Sequence, residues 1–295
     1  MSEHTGTPPV IIIGMHRSGT SLLTRVLQRS GFFMGLGASR NEEAAFTNAL
    51  NAWLFRQASA TWDRPDSLDD LLADGELRPW LTDYLCGVTN GPAAMRFLGP
   101  RRWLRGGGLH GLDAPWGWKD PRNTWTLPLW RELFPDARVL HIVRHGVDVA
   151  ASLRTRRQQA MAANLARYRR RRWWYQRDPL APKRRGFGPQ AVCRTLDGGF
   201  ALWERYVERS RAHVAALGGQ ALEVRYEDLL RAPERELDRA LEFCGCHPGA
   251  DRIAQTAGTF DAARADAWRR DAELRTFATT VARRLEARGY SAASA

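Results

Sequence analysis

The 295-residue sequence is poor in cysteine and has no long apolar run. Its four cysteines, Cys86, Cys193, Cys244 and Cys246, form no C-x-x-C pair and have no histidines at zinc-ligand spacing. They therefore signal no metal site and read as free, mostly buried thiols. No apolar stretch approaches the ~18 to 20 residues that span a bilayer, so no transmembrane helix is expected. The opening MSEHTGTPP lacks the basic start and apolar centre of a secretory signal. That makes the cytoplasm the expected compartment. No repeat of solenoid period runs through the chain.

What is present is an ordinary globular composition, 44% hydrophobic and 26% charged. With a soft prior of about 150 residues per domain, the length suits one large α/β domain or two small ones. The expectation is a single domain over residues 1–295, with a flexible N-terminus at 1–9. A net charge of +12 sets up a positive field that draws phosphates, sulfated sugars, nucleic acid or acidic membranes. Charge alone does not choose among them.

Val10 to Ile13 is a β-branched run that breaks at Gly14 into a loop of Gly, Ser and Thr. Leu22, Leu23, Val26 and Leu27 then follow at helical spacing up to Gly31. Strand, glycine loop and helix in that order open a parallel α/β sheet. A helical stretch follows, carried by Phe46 to Leu54, Leu68 to Leu72 and Trp80 to Leu85, and Gly106 to Gly108 read as a flexible connection. Trp116 to Lys119 reads as a short strand ending before Pro121. Helix 124–134, strand 138–143 and helix 148–156 form a second strand-loop-helix unit. Helix 195–217, strand 221–225, a Tyr226-Glu227-Asp228 loop and helix 234–243 resume the alternation, and a closing helix runs through Trp268 and Leu285. The expected fold is α/β: a three-layer, P-loop-type parallel sheet flanked by helices. A basic helical insertion over 157–190 interrupts it, with Arg169 to Arg172 and Lys183 to Arg185 interleaved with Trp173, Trp174 and Tyr175.

Two segments carry chemistry. Gly14-Met15-His16-Arg17-Ser18-Gly19-Thr20-Ser21 has the G-x-x-x-x-G spacing of a phosphate loop, but Thr20 stands where a nucleotide triphosphatase has lysine. The cation is Arg17, inside the loop, where backbone N–H groups and a helix N-terminus would cradle an anion. In the other segment, Arg144 sits at the carboxyl end of a parallel strand, where open α/β sheets bind ligands. Ser152 follows eight positions later. Guanidinium and hydroxyl together suit a phosphate. Each feature also has a plainer role: a tight turn for the loop, a surface charge and a solvated hydroxyl for Arg144 and Ser152.

GMHRSGTS, RVLHIVRHGVDVAAS and VRYEDLLRAPERELDRALEFCG together resemble the sulfotransferases that use 3′-phosphoadenosine 5′-phosphosulfate (PAPS). The resemblance runs in order over most of the chain. It implies that His16, Arg17, Ser18, Gly19, Thr20 and Ser21 bind the 5′-phosphosulfate, that Arg144 and Ser152 bind the 3′-phosphate, and that Tyr226 contacts the nucleotide. Trp116-Gly-Trp-Lys119-Asp-Pro-Arg122 resembles the W-K-x-P-R segment of bacterial and tyrosylprotein-type members, where the lysine faces the transferring sulfuryl group. Lys119 as an ordinary ion-pair partner is the alternative. PAPS is then the co-substrate, no metal is required, and the acceptor is a small molecule or carbohydrate of unknown identity.

The family pattern departs here in two places. Where many bacterial relatives have Glu before Asn, this chain has Thr47 before Asn48. The base is thereby displaced to Glu42 or Glu43, with Asp120 and His16 as further candidates and Glu43 the choice. Near the C-terminus, Gly258-Thr-Phe-Asp lacks the Arg-Lys-Gly loop of cytosolic members, for which the arginines of the insertion could substitute. The catalytic set is then Arg17, Lys119 and Glu43. Two other classes remain: a P-loop small-molecule kinase, disfavoured by Thr20, and a basic nucleic-acid-binding protein. The second takes the run Arg167 to Tyr175 as a binding patch, without a fold motif for nucleic acid. The sequence says nothing of oligomeric state.

Overall fold

The computed structural model describes residues 6–39, 41–177 and 186–292. Four parallel strands make one sheet: β1 (Val10–Ile13), β2 (Gly117–Lys119), β3 (Arg138–Val143) and β4 (Ala221–Arg225), in the order β2-β1-β3-β4. Ile12 lies beside Lys119 on one flank and Leu140 on the other. The glycine loop thus leaves a central strand, bordered by the ends of both neighbours.

The central strand β1 is apolar on both faces because both faces are covered, and β3 is buried beyond Arg138, whereas β4 is only partly buried. Val10, Ile12, Leu140, Ile142 and Val224 pack in one cluster with Leu23, Val26 and Leu27 of α1 (Thr20–Arg29). Tyr226, Leu229, Leu237 and Leu241 join them from later helices. Ile11, Ile13, Val139 and Val143, on the alternate face, are equally buried. Each such side chain contributes about 1.5 to 3 kcal/mol by leaving water.

Between β1 and β2 run α2 (Ala45–Gln57), α3 (Ser67–Ala73), α4 (Leu77–Asn90), α5 (Met95–Leu98) and α6 (Pro100–Gly106). The glycines expected to be a flexible connection instead end α6, and the chain beyond is pinned by a Leu109 N–H bond to the Thr89 carbonyl. Then come α7 (Asn123–Leu133), α8 (Gly146–Arg177) and α9 (Leu196–Leu217). The remaining helices are α10 (Tyr226–Arg231), α11 (Pro233–Phe243), α12 (Ala250–Ala257), α13 (Ala272–Thr280) and α14 (Ala282–Glu286).

A buried polar network fixes α2 against α7. Asn51 Nδ2 donates to Asn123 Oδ1 at 2.7 Å, while Asn51 Oδ1 accepts from Thr126 and Trp130. Asn123 Nδ2 reaches the Ile12 carbonyl. Because every buried group here has a partner, the network stabilises one helix placement rather than several.

The described chain divides into two compact units, one of residues 1–144 with 206–265, the other of 145–205 with 266–295. The first holds the sheet. In the second, the Trp268 ring stacks on His145 while the Trp268 backbone N–H donates to Asp148, and Arg284 reaches Glu204 and Asp197 from α14. The basic segment is helical to Arg177, extending the helix predicted from 148 with a kink at Arg171. Lys183, Arg184 and Arg185 lie outside the described residues.

Two elements differ from expectation. Tyr226-Glu227-Asp228 is the first turn of α10, because two acidic residues favour the positive end of a helix. The closing helix is three pieces, a 3-10 turn over Ala267–Arg270, α13 and α14, and Asp271 starts the second by accepting from the Leu274 N–H. At the N-terminus, residues 1–5 of the expected flexible segment lie outside the described residues, whereas Gly6 and Thr7 donate to the His110 and Leu112 carbonyls. All four cysteines are free.

Candidate active site

The loop after β1 has the backbone of an anion cradle. Arg17 takes a left-handed φ of 73° and Gly19 one of 99°. An arginine in that region carries about 1 to 3 kcal/mol of strain, which persists where the surroundings over-determine it. Helix α1 starts at Gly19 with no side-chain cap and no acidic residue in its first turn, so its N-terminal N–H groups face the loop uncompensated. Ser18 is buried, and its hydroxyl has no hydrogen-bond partner among the described residues. The Gly14 N–H is taken by Thr124 Oγ1 at 3.0 Å, which anchors the loop to α7.

Tyr226 and Arg144 are built onto this loop. A Cβ on Gly19 would stand 2.4 Å from the Tyr226 ring, so only glycine lets the ring close on the backbone. The Arg144 guanidinium lies 4.7 Å from the centre of the same ring, and its Nη2 donates to the Arg264 carbonyl. Three residues that the sequence scattered, Gly19, Arg144 and Tyr226, form one layer. Tyr226 is buried in it. Arg264 was missed by sequence reasoning, which looked for a basic loop a few residues earlier. Ser152 is on α8 in the second unit, partly exposed.

A second cluster adjoins the loop's far end. Ser21 Oγ donates to the Asn41 carbonyl at 2.7 Å, and the Lys119 ammonium donates to the same oxygen. Lys119 also donates to Glu43 Oε1 at 3.1 Å, and Asn48 Nδ2 holds Glu43 Oε2 at 2.9 Å. Burial pushes the Lys119 pKa below the usual lysine value, against the pull of Glu43. The structure thus brings together Ser21, Lys119 and Glu43.

The other base candidates are engaged elsewhere. Asp120 is buried and held by the Arg122 guanidinium through both oxygens, at 3.1 and 2.8 Å. Arg122 Nη2 also donates to the Asn48 carbonyl. Glu42, itself in a left-handed conformation, pairs with Arg25 at 3.7 Å. His16 packs its ring 4.4 Å from that of Trp62. Asn48 and Arg122 were in view in the sequence, but nothing there marked them as the clamp around Glu43.

Behind the loop sits a titratable group of a different kind. His141 Nδ1 donates to Glu223, which Arg211 holds through both carboxylate oxygens at 2.9 Å. Burial keeps His141 below the usual imidazole value, so the charge that balances Glu223 is Arg211. Burial raises the Glu223 pKa, but the hydrogen bonds from His141 and Arg211 outweigh it and bring it down to about 2. Next to it His213 donates to the Thr124 carbonyl, and burial lowers its pKa to about 4. A cavity of about 130 Å³ opens on the outer side of α1 between Arg25, Arg29, Thr256, Thr259 and Phe260.

The profile of the sulfotransferase family matches residues 8–248. Among solved structures, the sulfotransferase domain of the Synechococcus PCC 7002 olefin synthase is 18% identical with a TM-score of 0.46, over 91% of this chain and 90% of that one. A sulfotransferase from Alicyclobacillus acidocaldarius is 16% identical with a TM-score of 0.47, over 96% and 94%. One from Mycobacterium tuberculosis H37Rv is 17% identical with a TM-score of 0.43, over 86% and 72%. No curated protein matches the chain.

Proposed function

The chain belongs to the sulfotransferase family, and on that premise we propose that it transfers a sulfuryl group from PAPS to a hydroxyl or amine of a small-molecule or carbohydrate acceptor, releasing adenosine 3′,5′-bisphosphate. The observation that carries this reading is the meeting of Ser21 Oγ and Lys119 Nζ on the Asn41 carbonyl. It makes the anion loop and the buried Lys119–Glu43 pair one site.

The loop fits a phosphosulfate group: Arg17 and Gly19 take left-handed backbone, the Ser18 hydroxyl is buried between them, and the start of α1 is uncapped. Bound there, the donor supplies a sulfuryl group activated by its phosphate leaving group. In this reading His16 to Ser21 hold the 5′ end, while Arg144 holds the 3′-phosphate. Tyr226 sets the plane of the Arg144 guanidinium. Arg17 and Lys119 offset negative charge that grows on the transferring oxygens, where fixed cations act most strongly in a water-poor site. Glu43 accepts the acceptor's proton. Lys119 and Asn48 hold that carboxylate in place through its two oxygens.

Adenosine 3′,5′-bisphosphate at a hundred times its dissociation constant should stabilise the fold by about 2.7 kcal/mol. Labelled PAPS offered with an acceptor panel should yield labelled product. Arg17→Ala should abolish transfer while leaving the fold intact. Stabilisation by ATP with magnesium but not by the bisphosphate would instead mark a kinase.

A further inference from the structure

The end of α8 lies outside that assignment. Between residues 149 and 177 the chain has nine arginines and no acidic residue. Six of them, Arg167, Arg169, Arg170, Arg171, Arg172 and Arg177, fall within the last eleven positions, and all six are exposed. Among them Trp173 and Trp174 are 53% and 67% exposed, far more than an indole in a folded core. The regular helical backbone breaks at Arg171 (φ −115°, ψ 16°), just before the pair.

The rings are ordered. Trp173 and Trp174 meet edge to face with centres 4.9 Å apart, and the Arg177 guanidinium covers Trp173 at 4.4 Å. Tyr168 and Tyr175 stack on each other, and Phe187 sets its edge against Tyr168 at 4.8 Å. This small cluster ties the helix end to the chain that follows.

Two kinds of surface combine negative charge with a place for indoles. Single-stranded nucleic acid stacks successive bases on open ring faces. An anionic bilayer takes amphipathic rings into its headgroup layer and binds guanidinium groups through its phosphates. The ring faces decide between them. Trp173 carries the Arg177 guanidinium, Tyr168 and Tyr175 face each other, and Trp173 and Trp174 meet edge to face, so among the described residues these rings form no row of parallel open faces on which successive bases could stack. Insertion at a headgroup layer needs only apolar area, with arginine stems lying along it and their charged heads reaching outward. We propose that this end of α8 docks on an anionic lipid surface, with Trp173 and Trp174 among the headgroups and the neighbouring arginines on lipid phosphates. Indoles and charges supply the two signals that stable peripheral attachment requires.

The test uses the full chain with sucrose-loaded vesicles of phosphatidylcholine, with and without phosphatidylserine. Binding should be at least tenfold tighter with phosphatidylserine and should weaken as salt rises. Trp173→Ser with Trp174→Ser, and Arg169→Gln with Arg170→Gln and Arg172→Gln, should each weaken it about tenfold. Because these side chains are exposed, far-UV circular dichroism should not change in either variant. The unmodified protein supplies a second readout: lipids brominated near the headgroup should quench tryptophan emission. The tryptophan variant should lose that quenching. Equal binding to neutral vesicles, or no quenching, would overturn the proposal. So would tighter binding to an oligothymidylate that the tryptophan variant abolishes, which would assign the surface to nucleic acid.

Discussion

Lys119 and Glu43, 76 positions apart in sequence, face each other across 3.1 Å with 1% and 13% of their side chains exposed. A buried pair of this kind is costly to break from one side, because the remaining charge is stranded. Lys119→Met should therefore destabilise the fold by about 3 kcal/mol, and Lys119→Met with Glu43→Gln by clearly less. Urea unfolding of the four proteins closes the cycle, and additive losses would show that the two charges do not depend on each other. In turnover assays Glu43→Gln should lower kcat about 10² to 10⁴-fold. Its stabilisation by adenosine 3′,5′-bisphosphate should persist, since the donor loop is untouched.

Gly19→Ala tests the other half of the site. The new methyl would meet Tyr226 at 2.4 Å on a residue with φ of 99°. Steric overlap and backbone strain together should cost about 2 to 4 kcal/mol. The thermal shift given by the bisphosphate should disappear. A variant that still binds with unchanged affinity would show that the Tyr226 ring is not what shapes the loop.

Tyr226→Phe keeps the ring face on which Arg144 lies 4.7 Å away, whereas Tyr226→Ala removes it. If the ring acts by orienting the guanidinium, bisphosphate affinity should stay within about twofold in the first and fall about tenfold in the second. Arg144→Lys should resemble the alanine variant, because an ammonium lacks the planar fork. Equal losses for Phe and Ala would assign the role to the hydroxyl.

Acid should weaken the fold before carboxylates titrate. The pKa of His213 is about 4 in the folded chain against 6.5 unfolded, so above pH 6.5 both states are neutral and it has no effect. As pH falls from 6.5 to 4 the unfolded chain takes up a proton that the folded one refuses, and stability declines by about 2 to 3 kcal/mol. Glu223, with a pKa of about 2 folded against 4.5 unfolded, withdraws its own contribution as pH drops through that lower window. His213→Gln retains an N–H for the Thr124 carbonyl and does not titrate. Its unfolding free energy should be flatter between pH 6.5 and 4, and an unchanged slope would rule His213 out.

The strands were legible to the residue where sequence is simplest. Val10–Ile13 and Val139–Val143 are mostly β-branched or apolar, as a strand buried on both faces requires, and Ala221–Arg225 is a short, partly buried segment marked off by the glycines before it and the Tyr-Glu-Asp stretch after it. Helix starts were harder. Tyr226 was read as loop because a charged Tyr-Glu-Asp stretch looks like one, although Glu227 and Asp228 also favour the first turn of a helix. The loop between β1 and α1 was legible through its glycines. The clamp around Glu43 was not, because Asn48, Arg122 and the Asn41 carbonyl are brought there by the packing of α2 on α7, a tertiary event that no local pattern encodes. Arg264 escaped for a related reason: its contribution to Arg144 is a main-chain carbonyl, which every residue type carries.

That last point applies with most force at Asn41. The oxygen on which Ser21 and Lys119 converge belongs to the peptide backbone. A codon change can remove either donor, but none can delete the acceptor. Drift at position 41 therefore leaves the junction intact so long as the loop keeps its path, and variation among descendants of this chain should be tolerated there and disfavoured at the two donors. An engineer wishing to uncouple the anion loop from the Lys119–Glu43 pair would have to reroute the chain around residue 41, or replace its amide linkage by an ester, rather than exchange a side chain.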